Sequence, residues 1–279
     1  MPTVLVTGAS RGIGRTTAVQ LAHAGWDVIG TVRSASDAEA LEAAGNGKVK
    51  AITLDVTDTA QIAALDAALP ATLDAVVNNA GIIVGGPVEG LPIDEVRRQF
   101  EVNVFGQIAV TQAVLPRLRA SRGRVVFVSS VSGRISTPMT GAYNASKFAL
   151  EAFGDALRLE LKPWGVKVSL IQPAQTDTDL WRLADSALDE SVEGLSPEHR
   201  ELYARHTAGF RKTIPISQKL ATPPEAVADA IEKALTVKRP KARYVVGAGP
   251  KVQAALMDVT PTAITDPILG KLVGVPRRV

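Results

Sequence analysis

Thr3-Val-Leu-Val-Thr-Gly-Ala-Ser-Arg-Gly-Ile-Gly14 is the stretch of this 279-residue chain that decides its fold. A short apolar, β-branched run leads directly into three closely spaced glycines. This order predicts a strand, a tight turn and the start of a helix. Glycines let a backbone approach a pyrophosphate closely, and the amides at a helix N-terminus attract an anion. We therefore expect Gly8, Gly12 and Gly14 to form a phosphate-binding turn; an ordinary strand-to-helix turn is the alternative.

Short apolar runs alternate with longer helical stretches along the rest of the chain. Near-continuous apolar strands are typical of a parallel sheet that helices cover on both faces. Right-handed crossovers then predict an α/β, doubly wound Rossmann fold of about seven strands, in a single domain over residues 1–279. The predicted strands are Thr3–Thr7, Asp27–Val32, Val49–Leu54, Ala75–Val77, Arg124–Ser129, Val166–Ile171 and Ala242–Val246. The predicted helices lie near residues 14–24, 58–69, 92–120, 141–163 and 223–237.

Two segments near the C-terminus interrupt this alternation. Residues 179–222 carry large apolar and aromatic side chains, and an insertion so late in the fold predicts a substrate lid. Residues 250–279 form an apolar extension that three prolines interrupt. This extension either packs against its own domain, covers the substrate pocket, joins a subunit interface or contacts a membrane surface.

Composition excludes several classes of site. The chain has no cysteine, which excludes disulfides, thiolate metal sites and a cysteine nucleophile. His23, His199 and His206 share no metal-ligand spacing, so we expect no metal. The 31 basic and 28 acidic residues are dispersed, and we expect no nucleic-acid partner. With no signal peptide and no apolar run of about 18 residues, we expect a cytoplasmic enzyme without a transmembrane segment.

Tyr143 and Lys147, in the run Gly141-Ala-Tyr-Asn-Ala-Ser-Lys147, predict an acid/base pair. Residues four apart on a helix lie on the same face, which puts a phenol beside an ammonium group. A nearby cation favours the phenolate and so lowers the pKa of a tyrosine toward the neutral range. By itself such a pair can equally belong to a solvated helix face.

Several motifs together resemble the short-chain dehydrogenase/reductase family. The similarity rests on Thr7-Gly-Ala-Ser-Arg-Gly-Ile-Gly14, Asn78-Asn-Ala-Gly81, Asn103, Ser130, Tyr143 and Lys147, which occur in the order and spacing of that family. It is strong over residues 3–178. Farther along, Pro223-Pro-Glu-Ala-Val-Ala and Pro240-Lys-Ala-Arg-Tyr-Val-Val resemble the hydroxysteroid and retinol dehydrogenase-like branch.

The resemblance implies four catalytic residues. Tyr143 would be the acid/base, and Lys147 would lower its pKa and bind the nicotinamide ribose. Ser130 would orient the substrate oxygen, and its neighbour Ser129 fits the family register less well. Asn103, in the run Glu101-Val-Asn-Val-Phe-Gly106, would sustain a proton relay to the lysine.

The same resemblance implies contacts to the cofactor. Asp55 and Val56 would contact adenine, the segment from Asn79 to Gly81 would lie beside the adenosine ribose, and Thr178 would meet the nicotinamide carboxamide. The expected cofactor-binding residues are Gly8, Ser10, Arg11, Gly12, Ile13, Gly14, Arg33, Asp55, Val56, Asn79, Ala80, Gly81, Tyr143, Lys147, Pro173, Thr176 and Thr178.

Arg11 and Arg33 favour NADP(H) over NAD. Enzymes that use NAD commonly place a carboxylate at the end of the second strand, where this chain has Val32 and then Arg33. Two guanidinium groups can hold a 2′-phosphate through charge-assisted hydrogen bonds. The next carboxylate along the chain, Asp37, lies farther on.

The chain departs from the family pattern at Ala174, where the family usually has glycine after the proline. Because glycine alone reaches positive φ cheaply, the alanine puts the local backbone geometry in question.

The expected activity is reversible hydride transfer between a nicotinamide and a carbonyl carbon. The expected substrate is a lipophilic ketone, aldehyde, steroid or retinoid. A fatty-acyl or polyketide 3-oxoacyl group and a non-catalytic NADP(H)-sensing role are alternatives. From the resemblance, the helices near 92–120 and 141–163 are expected to pair in a homodimer or homotetramer. The candidate pocket residues are Ile83, Val84, Ile135, Met139, Leu180, Trp181, Leu183 and Phe210.

Overall fold

The computed structural model describes residues 1–247 and 260–276 and contains a seven-stranded, all-parallel sheet in the order β3-β2-β1-β4-β5-β6-β7. This arrangement confirms the predicted doubly wound α/β fold. The strands are β1 (Thr3–Val6), β2 (Asp27–Val32), β3 (Val49–Thr53), β4 (Ala75–Asn78), β5 (Arg124–Val128), β6 (Lys167–Pro173) and β7 (Arg243–Val246).

The strand order reverses between β2 and β4, which both pair with β1. In open parallel sheets, ligands bind at such a reversal, just beyond the carboxyl ends of the strands. Gly8 follows β1 and Asn79 follows β4, so both lie at that edge. The topology therefore puts the glycine turn where a ligand would be expected.

Helices cover both faces of the sheet. They are α1 (Gly12–His23), α2 (Ala35–Ala44), α3 (Thr59–Ala68), α4 (Ile93–Phe100), α5 (Gln107–Ser121), α6 (Gly141–Glu160), α7 (Asp179–Arg182), α8 (Ala184–Glu193), α9 (Pro197–Leu202), α10 (Ala204–Lys219), α11 (Pro224–Thr236) and α12 (Thr262–Leu272). A π-helical turn, Glu101–Gly106, joins α4 to α5. Two 3-10 turns, Val131–Gly133 and Lys162–Trp164, precede and follow α6.

The alternation of side chains along β1 divides the core into two layers. Val4 and Val6 pack with residues of α1, α2 and α11, whereas Leu5 packs with residues of α3, α5 and α6 on the opposite face. All three side chains are fully buried. A strand that is apolar on both faces is what a sheet between two helical layers requires.

The structure differs from the sequence prediction in two helical segments. Helix α2 was not predicted, although Ser34 caps it by accepting a hydrogen bond from the amide of Asp37. The single helix predicted over 92–120 contains the π-helical turn at 101–106. Such turns insert an extra residue into a helix and often occur at functional sites.

Residues 179–222 form the four short helices α7 to α10, which dock on the loop after β4. Ser191 donates a 2.6 Å hydrogen bond to the carbonyl oxygen of Gly85, and the Tyr203 hydroxyl donates one of 2.6 Å to Glu89. Met139, Leu188 and Ile214 form a small buried apolar cluster between this segment and the main domain. Segment 179–222 thus packs against the loop after β4 and the loop before α6.

The described part of the C-terminal extension contacts this segment. Gly209 of α10 and Gly274, just beyond α12, approach so closely that a Cβ on Gly209 would lie 2.3 Å from the Gly274 carbonyl oxygen. Residues 250–259 and 277–279 of the predicted extension lie outside the described residues. Among the helices that the structure describes, none is long and apolar enough to cross a membrane.

Candidate active site

The glycine turn between β1 and α1 has a backbone conformation that residues with a side chain rarely adopt. Gly8 and Gly12 have φ values of +64° and +53°. A Cβ on Gly14 would lie 2.2 Å from the carbonyl oxygen of Gly8, which is too close for any real contact. The turn therefore leaves its amide groups at the N-terminus of α1 open to a phosphate-bearing ligand.

Thr7 and Asn79 fix this turn to the end of β4. The Thr7 hydroxyl oxygen accepts hydrogen bonds from the amides of Asn79 and Ala80, at 2.9 and 3.1 Å. The Asn79 side chain donates to the carbonyl oxygens of Thr7 and Gly8, at 2.9 and 3.0 Å. Asn79 and Ala80 therefore hold the glycine turn against the end of β4, and the neighbouring Gly81 is exposed.

Tyr143 and Ser130 are brought together from different elements. Tyr143 is in the first turn of α6, and Ser130 lies two residues after the end of β5. The Ser130 hydroxyl lies close enough to the Tyr143 phenol to lower the pKa of that phenol. It donates a 3.3 Å hydrogen bond to the carbonyl oxygen of Pro173 and accepts one of 3.1 Å from the amide of Ser132. Ser129 is buried without a hydrogen-bond partner for its hydroxyl. Of the two serines, Ser130 is therefore the one that meets Tyr143.

Lys147 is almost fully buried one turn after Tyr143. Its ammonium nitrogen lies 5.7 Å from the centroid of the Tyr143 ring and donates a 2.8 Å hydrogen bond to the carbonyl oxygen of Val128. Burial lowers the pKa of Lys147 to about 8, and the charge of Glu151 acts in the opposite direction. Lys147 is thus a cation held in place below the phenol.

The pKa of Tyr143 departs in the direction opposite to the sequence prediction. Burial raises this pKa above its ordinary value, and the Ser130 hydroxyl opposes the rise only in part. A net lowering of this pKa is not found, because the loss of hydration of the phenolate outweighs the groups that favour it. The Tyr143 phenol is therefore protonated at neutral pH.

Asn103 lies in the π-helical turn and is fully buried. Its side chain accepts a 2.8 Å hydrogen bond from the amide of Ile82 and donates one of 3.0 Å to the carbonyl oxygen of the same residue. It also donates to the Ser146 hydroxyl at 3.2 Å, and Ser146 in turn donates to the Tyr143 carbonyl oxygen. Asn103 therefore ties the loop after β4 to the helix that carries Tyr143.

Gln99 makes similar contacts and was missed in the sequence. This fully buried side chain accepts a hydrogen bond from the amide of Val84 and donates one to the carbonyl oxygen of Ile82. The spacing of four residues between Gln99 and Asn103 could have predicted its place in the site, since residues four apart share a helix face.

The residues expected at the adenosine end meet at the ends of β2 and β3. The backbone amide of Thr57 holds the pKa of Asp55 below its ordinary value, and the positive charge of Arg33 adds a smaller contribution. Asp55, and not only Asp37, is thus a carboxylate near Arg33. Arg33 and Arg11 are both exposed, and Val56 is buried.

The segment after β6 lies against the glycine turn. A Cβ on Gly12 would lie 3.1 Å from the methyl group of Thr178, which puts Thr178 beside the start of α1. Pro173 and Thr176 are buried. Ala174 does not have a positive φ, so the alanine fits this backbone and the question raised by the sequence is resolved.

The predicted pocket residues are only partly brought together. Met139 and Phe210 pack in the apolar cluster with Leu188, whereas Leu183 is 56% exposed. Val84 and Ile135 are buried and Ile83 is half-buried. The side chains of Leu180 and Trp181 lie outside the described part of the structure.

No group of three or more histidine or carboxylate side chains within residues 1–247 and 260–276 could hold a metal ion.

Comparisons with known proteins agree with this geometry. A family model described as short chain dehydrogenase matches residues 2–189. The chain is 36% identical to the NADPH-dependent 3-dehydrocapnine reductase of Ornithobacterium rhinotracheale, covering 96% of this chain and 95% of that protein. It is 35% identical to human Retinol dehydrogenase 16, covering 95% and 87%. A crystal structure of a short-chain dehydrogenase from Streptomyces avermitilis aligns with a TM-score of 0.75 at 30% identity, covering 97% and 94%.

Proposed function

Because the chain belongs to the short-chain dehydrogenase family, and is thus an oxidoreductase, we propose that it interconverts a carbonyl and an alcohol on a lipophilic substrate with NADP(H). The observation that carries the proposal is that the Tyr143 phenol lies beside the Ser130 hydroxyl, with the buried ammonium group of Lys147 5.7 Å from the centroid of its ring.

In the direction of reduction, Tyr143 gives its proton to the substrate oxygen while Ser130 donates a hydrogen bond to the same oxygen. The nicotinamide supplies or accepts the hydride when it is bound. The charge of Lys147 stabilises the phenolate that remains after proton transfer.

Residues around the glycine turn fit a nicotinamide dinucleotide. The close approach of Gly14 to Gly8 leaves the cradle free of side chains, and a pyrophosphate would lie against the amides of residues 10–14. Arg11 and Arg33 are the residues that would hold a 2′-phosphate. The name of the Ornithobacterium rhinotracheale relative, an NADPH-dependent reductase, supports the same choice. Asp55, Val56, Gly81 and Thr178 would complete the contacts, as expected from the family.

The small apolar cluster of Met139, Leu188, Ile214 and Phe210, to which segment 179–222 contributes, supports an apolar substrate. We propose that segment 179–222 acts as a lid. The names of the relatives include a retinol dehydrogenase and a 3-dehydrocapnine reductase. These names belong to those proteins and guide the choice of test substrates here.

A homo-oligomer is part of the proposal. Large apolar side chains are exposed on α6 and on the segment that leads into α5, and burying them against a second copy would remove apolar surface from water. They include Phe105, Phe148, Phe153 and Leu159, which are 52%, 42%, 44% and 61% exposed.

Turnover of NADPH with a panel of carbonyl compounds tests the proposal. The panel contains all-trans-retinal, a 3-ketosteroid, a long-chain aliphatic ketone and a 3-oxoacyl thioester, and the absorbance of NADPH is followed. We expect oxidation of NADPH with at least one of the lipophilic carbonyls. Reduction of the thioester alone would identify a 3-oxoacyl reductase instead. Binding of NADPH with no turnover on any compound would support a sensor and contradict the enzyme.

Tyr143→Phe is the matched variant for this assay. Loss of the phenolic proton is expected to lower kcat by about a hundredfold or more while NADPH still binds. Tyr244→Phe is the control, because the Tyr244 hydroxyl lies at β7 and accepts a hydrogen bond from the amide of Lys241. Full activity of Tyr143→Phe would refute the mechanism.

A further inference from the structure

A buried carboxylate, Glu151, lies on the same face of α6 as Tyr143 and Lys147. The three residues are spaced four apart, so Lys147 stands between the phenol and the carboxylate along the helix. Glu151 is only 6% exposed. Glutamate is rarely buried unless a partner compensates its charge, so its partners need to be accounted for.

Arg243 of β7 compensates only part of this charge. Its Nε atom lies 2.9 Å from Oε2 of Glu151, and the rest of its guanidinium group is paired with Asp155, at 2.6 Å. The other carboxylate oxygen of Glu151, Oε1, is buried without a hydrogen-bond partner. Glu151 therefore shares Arg243 with Asp155, which also pairs with Arg158 at 3.2 Å, and one carboxylate oxygen of Glu151 has no partner.

Close packing holds Glu151 in this position. A Cβ on Gly133, in the 3-10 turn after Ser130, would lie 2.8 Å from Cγ of Glu151, 3.0 Å from the carbonyl oxygen of Lys147 and 3.1 Å from the Ser129 hydroxyl. Water is thus kept from this side of the helix. Charges interact more strongly in such an enclosed environment than at the surface.

Lys147 needs a compensating charge for the role proposed for it. It is 4% exposed, and its hydrogen bond in the structure goes to the neutral carbonyl group of Val128. A buried ammonium group tends to lose its proton, and a neutral amine could not stabilise a phenolate. A buried carboxylate one turn away on the same helix face opposes that loss.

We propose that Glu151 is a positioning residue that keeps Lys147 positively charged in its buried site. Its value for catalysis rests on the proposed function, since Lys147 must be charged to support the phenolate of Tyr143. The charged and titratable groups that face the pair are Tyr143 and Asp155 on α6 and Arg243 on β7, with Arg158 beyond Asp155 at 3.2 Å. The direction in which Glu151 moves the pKa of Lys147, upward against the effect of burial, agrees with this role.

Titration of Lys147 by NMR tests the proposal without any need for turnover. The protein is labelled with ¹³C at the lysine ε carbons, and the resonance of Lys147 is identified by its loss in Lys147→Arg. In Glu151→Gln we expect the pKa of Lys147 to fall by about one unit relative to the wild-type protein. An unchanged Lys147 pKa in Glu151→Gln would overturn the proposal. Glu151→Met, a second neutral variant of similar size, gives the same expected shift if the glutamine variant does not fold.

Asp155→Asn is the matched control. It removes another carboxylate from Arg243 on the same helix, but one turn farther from Lys147. The pKa of Lys147 is expected to stay where it is in this variant. An equal shift in Asp155→Asn and Glu151→Gln would overturn a specific role for Glu151.

The pH profile of turnover links this charge to catalysis. If NADPH-dependent reduction is observed, its loss at alkaline pH is expected to begin about one unit lower in Glu151→Gln than in the wild-type protein and in Asp155→Asn. An unshifted profile would overturn the catalytic part of the inference. If the wild-type protein turns over no carbonyl, the proposed function fails, and the NMR titration still decides whether Glu151 controls the charge of Lys147.

Discussion

Lys147 donates a 2.8 Å hydrogen bond from its ammonium nitrogen to the carbonyl oxygen of Val128, at the end of β5. This contact fixes the cation between the central sheet and the Tyr143 ring, whose centroid lies 5.7 Å away. The lysine is thus held by the fold itself. A buried charge at this position lowers the unfolding free energy of the protein, and the size of this effect depends on pH.

Lys147→Met is expected to stabilise the protein most at neutral pH. Burial lowers the pKa of Lys147 to about 8, so between pH 8 and 10 the unfolded chain binds more protons than the folded one. Lys147 therefore destabilises the folded wild-type protein less as the pH rises. We expect the advantage of Lys147→Met in unfolding free energy to shrink by about 2 kcal/mol between pH 7 and pH 10.

Urea denaturation of both proteins at the two pH values measures this difference, and titrating groups that do not interact with Lys147 cancel in the comparison. A constant difference across the pH range would show that Lys147 has an ordinary pKa in the folded protein.

Arg33→Asp is expected to reduce the preference for NADPH. A carboxylate at the end of β2 would repel a 2′-phosphate and could accept a hydrogen bond from the ribose hydroxyl of NADH. Loss of a charge-assisted hydrogen bond is expected to lower kcat/KM for NADPH by about 10- to 100-fold. Arg33→Ala separates the two effects, because it removes the cation without adding a carboxylate. Unchanged selectivity in both variants would remove Arg33 from the cofactor site.

Gly14→Ala is expected to disrupt the glycine turn. The new Cβ would lie 2.2 Å from the Gly8 carbonyl oxygen and 2.4 Å from the nitrogen of the Asn79 side-chain amide. Relieving this overlap requires a shift of the backbone, with an expected cost of about 2 kcal/mol or more in unfolding free energy and loss of NADPH binding. Gly194→Ala is the control, because its nearest neighbour would be 3.5 Å away. Denaturation and NADPH fluorescence titrations report the two effects, and a wild-type affinity in Gly14→Ala would contradict the assignment of the turn.

Gly209→Ala is expected to loosen the C-terminal segment from α10. A Cβ at this position would lie 2.3 Å from the Gly274 carbonyl oxygen, so the two backbones could not keep their present separation. Hydrogen exchange in residues 260–276 is expected to rise by about tenfold, which corresponds to about 1.4 kcal/mol. Gly270→Ala, whose Cβ would make only an ordinary contact of 3.8 Å, is expected to leave exchange unchanged. Equal hydrogen-exchange protection of residues 260–276 in Gly209→Ala and Gly270→Ala would show that the contact between Gly209 and Gly274 does not hold these residues in place.

Much of the fold could be read directly from the sequence, because strand patterning and glycine positions are local properties. The apolar run before Gly8 became β1, and the predicted strands appear within one or two residues of their expected bounds. Helix α2 was missed although Ser34 and Asp37 form a recognisable cap. The π-helical turn at Asn103 could not be foreseen, because helical periodicity continues on both sides of it.

The sequence by itself determined the strand–turn–helix with its glycines, the doubly wound α/β class with about seven strands, and the presence of Tyr143, Lys147 and Ser130 at the family spacing. Each of these depends on residue type and on separation along the chain. Only the tertiary structure decided that Asn103 lies in a π-helical turn, that burial raises the pKa of Tyr143, and that Glu151 lies buried one turn after Lys147. Those facts depend on how much water surrounds a group and on which distant strand packs against it, and neither is encoded in local spacing.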